Sequence, residues 1–139
     1  MFDASSTQDD VFLHAEESLL KFVQGYNCAI FAYGQTASGK TYTIQGDLCG
    51  SAEYFGLAPK IINNMFIEIL NVNCSSIFLK ASFFEIYNET IFDLLNPKKT
   101  NLQIYAAHDG SNYVKGVTSV YVSDYDEAID VIKKIFNLI

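Results

Sequence analysis

The sequence predicts an α/β fold organised around a phosphate-binding loop, and three observations predict it. Residues Gly34-Gln35-Thr36-Ala37-Ser38-Gly39-Lys40-Thr41 complete the pattern G-x-x-x-x-G-K-[ST]. Directly before them, Cys28-Ala29-Ile30-Phe31-Ala32-Tyr33 is an apolar run of strand length. In the rest of the chain, stretches of helical spacing are interspersed with stretches of twofold alternation. Each residue type in the loop has a physical task. The glycines let the backbone wrap so that consecutive N–H groups point at phosphate oxygens, and the helix that follows adds its positive end. Lys40 would set an ammonium against the β- and γ-phosphates, and the Thr41 hydroxyl would be a ligand of Mg²⁺. The expected ligand is a nucleoside triphosphate.

The elements follow in order. Thr7 can cap a helix that starts near Gln8, with Asp9 and Asp10 in the first turn and Asp10 placed to complete a capping box. Val11, Ala15, Leu19 and Phe22 form its apolar face and Gly25 stops it; His14 lies on or beside that face as a structural residue. The run 28–33 reads as a buried strand, with Cys28 as a small buried apolar residue. A short helix begins near Lys40, and Gly46, Gly50, Ser51 and Gly56 make the next segment a loop. Leu57-Ala58-Pro59 restarts the helix with Pro59 in its first turn, and Ile61, Ile62, Met65, Phe66, Ile69 and Leu70 form a broad buried stripe. Ser76 to Tyr87 reads as one long strand, central in the sheet, with Ile77, Leu79, Ala81 and Phe83 on one side. Ile91 to Leu95 reads as a helical turn that ends before Asn96-Pro97. Leu102-Gln103-Ile104 and Val114 to Val122 are strands on either side of an Asp109-Gly110 turn. Ser123 or Asp124 caps a last helix carrying Ala128, Ile129, Ile132, Ile135 and Phe136.

Composition bounds what such a chain can do. With 139 residues, 50% hydrophobic, it has the material for one modest domain with a buried core. No apolar run approaches the roughly 20 residues of a membrane span, and Met1-Phe2-Asp3 does not open a signal peptide, so a cytosolic setting is expected. Cys28, Cys49 and Cys74 are far apart and read as reduced thiols. The net charge is −7, and all nine basic residues are lysine. Without arginine the chain cannot clamp phosphate bidentately, and an acidic surface is a poor partner for nucleic acid or an anionic membrane. Any arginine finger must come from elsewhere.

The residues around the loop are more specific than the loop itself. Ser6 to Phe12, then Gly25-Tyr26-Asn27, then Ile30 to Thr36 resemble the start of the kinesin motor domain, where QGYNxxIFAYGQTxSGKTYT is close to a family signature. Gly56-Leu57-Ala58-Pro59-Lys60 is similar to that family's G-[IL]-[IV]-P-R helix start, with lysine for arginine. Phe84 to Leu95 resembles its EIYNExxxDLL block, and Val114 to Val122 its VxGLTEVxV strand, with Thr118-Ser119 departing slightly. The resemblance runs in family order from about residue 2 to residue 134. Ala37 and Tyr87-Asn88-Glu89-Thr90 lean towards the centromere-associated kinesins of mitosis.

The resemblance implies a P-loop NTPase of three layers, α/β/α with a mixed central sheet, in incomplete form. It implies a kinesin-type ATPase that binds ATP and Mg²⁺ and works on microtubules in the cytoplasm, at the cytoskeleton and, for the mitotic members, at the spindle or kinetochore. Residue by residue, Gly34, Gln35, Thr36, Ala37, Ser38, Gly39, Lys40 and Thr41 take the phosphate and Mg²⁺ roles, and Tyr42 takes the position that packs against adenine. A helix-flank core aromatic is the other reading of Tyr42. Glu85, Asn88, Glu89 and Asp93 read as scaffold.

The departures matter as well. Residues 1–139 would be the phosphate-loop half of a motor domain, without the upstream adenine-contacting segment, the N-x-x-S-S-R-S-H and D-x-x-G loops that sense the γ-phosphate, or the basic microtubule-facing surface. No catalytic residue is expected among these 139, which would bind nucleotide at most. No heptad stalk supports dimerisation. Two other classes stay open: a small P-loop kinase or GTPase, which would need an acidic Mg²⁺ ligand and a basic lid of its own, and a non-catalytic nucleotide-binding or interaction module.

Overall fold

The computed structural model describes residues 2–3, 5–72 and 77–136, so Cys74 and Ser76, the latter the expected start of the long strand, lie outside the described residues. The chain divides into two compact units with the boundary between Ile77 and Phe78.

In the first unit, helix α1 spans Gln8–Val23. Its start is fixed locally: the Asp10 N–H donates to Thr7 Oγ1 at 3.2 Å and the Thr7 N–H donates to Asp10 Oδ2 at 2.7 Å. Gly25, at φ +97°, ends it. Ala15 and Leu19 are buried, whereas Phe22 at the end of the expected face is exposed. Helix α2 is a single short turn, Lys40–Ile44, and helix α3 spans Leu57–Leu70 with Pro59 buried in its first turn. Helices α1 and α3 pack together, and the ion pair of Lys60 with Asp9 at 2.5 Å ties their first turns to each other.

Between α2 and α3 the chain makes a closed excursion. Gly46 and Phe55 form a β-bridge, the Asp47 N–H donates to Tyr54 O at 2.9 Å and the Gly56 N–H to Gln45 O at 2.9 Å. Gly46 sits at φ +68° where a Cβ would overlap the Tyr54 and Gly56 backbones, so the crossing needs glycine on both counts.

Three expectations for this unit are corrected. Residues 28–33 carry no ladder bond among the described residues, and Phe31 and Tyr33 are 88% and 101% exposed. Cys28 is exposed as well, not buried. An apolar run is a strand only where a partner takes its N–H and C=O groups, and periodicity does not supply the partner. The α3 stripe is half-buried, with Leu70 exposed, because α1 covers only part of its width.

The second unit holds β1 (Leu79–Ala81), β2 (Phe84–Tyr87), β3 (Thr90–Asp93), β4 (Gln103–Ala106), β5 (Asn112–Lys115), β6 (Val120–Val122) and α4 (Tyr125–Phe136). They form three antiparallel pairs, β1 with β6, β2 with β3 and β4 with β5, and a bridge from Ile91 to Leu102 links two of them. Helix α4 packs on β6 and buries Ala128, Ile129, Ile132 and Ile135. Asp124 caps it, accepting from the Glu127 N–H at 2.8 Å.

Here too the sequence expectations need revision. The long strand from Ser76 to Tyr87 is two strands, since Ser82 and Phe83 break the ladder and β1 and β2 pair with different partners. It is not a central strand among the described residues. Ile91 to Leu95 is no helical turn: residues 90–93 are β3, returned by a two-residue turn at Asn88 (φ +47°) and Glu89 (φ +59°). Both central residues at positive φ make this the type I′ geometry that matches strand twist. The expected strand from Val114 to Val122 is interrupted at Gly116, φ +79°, and divides into β5 and β6. The hairpin at Asp109-Gly110 forms as expected, with Gly110 at φ +83°.

Candidate phosphate-binding site

The loop 34–39 turns twice before α2 begins. Ala37 at φ +63° and Gly39 at φ +92° alternate with residues of ordinary conformation, the arrangement that makes successive amides converge on one concave point. The Ser38 N–H is used internally, donating to Gln35 O at 3.2 Å. Among the described residues, no protein acceptor takes the N–H groups of Thr36, Ala37, Gly39, Lys40 or Thr41. Five amide donors within six residues are therefore without a protein acceptor among the described residues, and four of the five belong to exposed residues. A Cβ at Gly34 would meet Ser38 Oγ, so a larger residue there would require the serine hydroxyl to turn away. Chemically, such a set of amide donors can receive an anion with several acceptor oxygens.

Lys40 closes the cradle. Its Nζ donates to Gly34 O at 2.7 Å and to Gln35 O at 2.6 Å, so the side chain curls back over the loop it follows. An ammonium has three donors, and two are used on the loop. The positive charge is thus fixed beside the free amides, with donor capacity left for a ligand. The Thr41 side chain lies exposed at the start of α2, and Gln35 to Ser38 are exposed as well. An exposed hydroxyl and open amides suit an Mg²⁺-bound polyphosphate, since Mg²⁺ holds most of its octahedron with water and phosphate oxygens.

Tyr42 is 58% exposed, which is incompatible with the reading as a core aromatic. Its ring belongs to the same helical turn as Lys40 and Thr41. One residue that sequence reasoning did not single out belongs to the site's frame: Gln8, only 4% exposed, donates from Nε2 to Tyr42 O at 2.7 Å. The signal was present. Position 8 lies on the same helical stripe as Ala15 and Leu19, and a polar residue on a buried stripe requires a partner.

The four polar residues read as scaffold separate in the structure. Glu85, Asn88 and Glu89 are exposed on the β2–β3 hairpin. Asp93 is 1% exposed; its Oδ1 accepts from the Leu95 and Asn96 N–H groups at 2.9 and 3.0 Å, and its Oδ2 from the Thr118 N–H at 2.7 Å. Burial pushes its carboxyl up, but the hydrogen bonds from Thr118, Asn96 and Leu95 outweigh that and hold the pKa below its ordinary value. It organises the turn after β3 and takes no part in the phosphate site's unit.

Comparison with known proteins bears on both units. The kinesin motor domain family model matches residues 1–137. The kinesin heavy chain of Strongylocentrotus purpuratus is 40% identical over 136 residues, covering 96% of this chain and 13% of that protein. The Homo sapiens kinesin-1 heavy chain is 40% identical over 134 residues, covering 95% of this chain and 14% of that protein. A solved structure of a fast kinesin superposes with a TM-score of 0.90 at 35% identity, covering 98% of this chain and 39% of that one. The α/β P-loop fold expected from the sequence is the fold of that neighbour.

Proposed function

The chain belongs to the kinesin motor domain family, and from that premise we propose that residues 1–139 are the phosphate-loop part of a microtubule motor, binding ATP with Mg²⁺ through Gly34 to Thr41. The observation that carries this reading is the row of unengaged amides at Thr36, Ala37, Gly39, Lys40 and Thr41, beside an ammonium held by two loop carbonyls. Amides and ammonium together would hold the β- and γ-phosphates, and the Thr41 hydroxyl would be a ligand of the metal. Bound Mg²⁺ would neutralise charge on the bridging phosphate oxygens. Tyr42, exposed beside the loop, offers an aromatic face to the adenine ring.

Binding and turnover separate on the residues present. The 139 residues contain no arginine and neither of the family's γ-phosphate-sensing loops, so in this reading they hold nucleotide, while hydrolysis and microtubule contact belong to a whole motor domain. The chain spans 13–14% of the kinesin heavy chains named above, which is why the motor activity, the microtubule partner and the cytoplasmic, microtubule-associated location are proposed for the whole protein. A spindle or kinetochore motor is the finer form of the reading, supported by Ala37 and the stretch Tyr87 to Thr90.

Titration of a fluorescent ATP analogue against the wild-type chain and Lys40→Ala tests the site. Loss of a charge-assisted contact to phosphate should weaken binding by about 2 kcal/mol or more. Equal affinities would place the nucleotide elsewhere or nowhere.

A further inference from the structure

Helix α2 leaves a carbonyl that its own backbone does not satisfy. In a regular helix the Gly46 N–H would donate to Tyr42 O, but Gly46 sits at φ +68° in the tight crossing with residues 54–56, and its N–H donates instead to Thr41 O at 3.3 Å. The Gln45 N–H uses the same Thr41 carbonyl at 2.8 Å. Tyr42 O is taken by Gln8 Nε2 at 2.7 Å, from a helix 34 residues earlier in the sequence. Beside Gln8, Asp9 holds Lys60 of α3 at 2.5 Å. The first turn of α1 is therefore fastened to two elements by two side chains of different kinds.

We propose that Gln8 is a positioning residue for the base side of the nucleotide site, holding the main chain of Tyr42 so that its ring stands at a fixed angle to the phosphate loop. The proposal rests on the reading of residues 34–42 as the nucleotide site. Among the described residues the Gln8 side chain bonds no loop residue; its one partner is the Tyr42 carbonyl, three bonds from the ring's Cβ. The loop keeps its own fastening through Lys40 to Gly34 O and Gln35 O. Loss of the Gln8 donor should thus release Tyr42 while the phosphate cradle stays intact. A part-buried carbonyl that loses its donor is left to water or to another amide, so α2 would re-form toward solvent or toward the Gly46 N–H, turning Tyr42 with it.

The test measures ATP and inorganic tripolyphosphate affinities, each with Mg²⁺, on the full 139-residue chain, for wild type, Gln8→Met, Asp9→Asn, Tyr42→Ala and Lys40→Ala. Gln8→Met keeps the length and apolar stem and removes the donor. It should weaken ATP by about fivefold to tenfold, the size of one lost hydrogen bond, and leave tripolyphosphate within about twofold of wild type. Tyr42→Ala should reproduce that pattern, Lys40→Ala should weaken both ligands, and Asp9→Asn should lower thermal stability with no change in the ratio. Equal loss of both ligands in Gln8→Met, or an altered ratio in Asp9→Asn, would show general loosening and overturn the proposal. So would an unchanged ratio in Gln8→Met, or a changed one there with none in Tyr42→Ala. A wild-type chain that binds neither ligand, or a Lys40→Ala variant that binds both normally, removes the nucleotide reading itself and the Gln8 role with it. If Gln8→Met fails to fold, Gln8→Asn is read in its place, since it keeps the amide but falls one methylene short of Tyr42 O.

Discussion

Asp93 shows how a single buried charge is kept. Its carboxylate accepts three backbone N–H groups, one of them from Thr118, 25 residues away, and those bonds outweigh the desolvation that burial imposes. A folded-state pKa below the ordinary 3.8 means that the charged form stabilises the fold above that value, and that this contribution is lost as pH falls through it. Asp93→Ala should cost about 2–4 kcal/mol at neutral pH by leaving buried amides unpaired. In chemical unfolding, the gap between wild type and variant should narrow as the pH is taken below 3.8. A gap that stays constant would mean that Asp93 is not the ionised acceptor. The sequence placed Asp93 correctly as scaffold and gave no sign of why, because Thr118 N–H comes to it only through the fold. Tyr42 is the complementary case: its aromatic character was legible, while its exposure beside Lys40 and Thr41 was not.

Among the elements, the β2–β3 hairpin makes the sharpest claim. Asn88 and Glu89 both occupy positive φ, which asparagine tolerates and glutamate does not favour. Glu89→Gly would create the Asn-Gly pair preferred in a type I′ turn. Relief of the left-handed strain, set against the added freedom of glycine in the unfolded chain, should stabilise the protein by about 0.5–1 kcal/mol. Thermal denaturation checks this, and a fall in melting temperature would argue against the two-residue turn. Without the glycine signal, the stretch Ile91 to Leu95 looked like a helical turn; its pairing with Phe84 to Tyr87 is what makes it a strand. The start of helix α1 is legible because the Thr7–Asp10 box is complete within four residues of sequence.

For the whole molecule, holding a triphosphate and cleaving it make different demands. A cradle of amides and one ammonium binds the ground state; turnover also needs a positioned water and donors that meet charge as it develops on the γ-phosphate. In the proposed reading the 139 residues supply the first set. Phosphate release from ATP by this chain should remain at the no-enzyme background, with or without polymerised tubulin, under conditions where the fluorescent analogue binds. Microtubule-stimulated turnover that Lys40→Ala abolishes would show instead that these residues suffice for a motor.

Residues close in sequence were enough to write the phosphate-loop motif, the family resemblance, the cap and stop of α1, and the turn at Gly110. Each of those is written in contacts that span a few residues: a capping oxygen and the amide three positions on, a glycine where φ must be positive, a loop whose donors are its own backbone. Which apolar runs became strands, where the stretch ending at Tyr87 broke into β1 and β2, and what Gln8 and Asp93 hold follow from long-range packing. Each needs a partner. The Gln8 amide and the Asp93 carboxylate are completed by groups 34 and 25 residues away, and a strand by whichever strand pairs with it; periodicity states the need for such a group without saying which residue meets it.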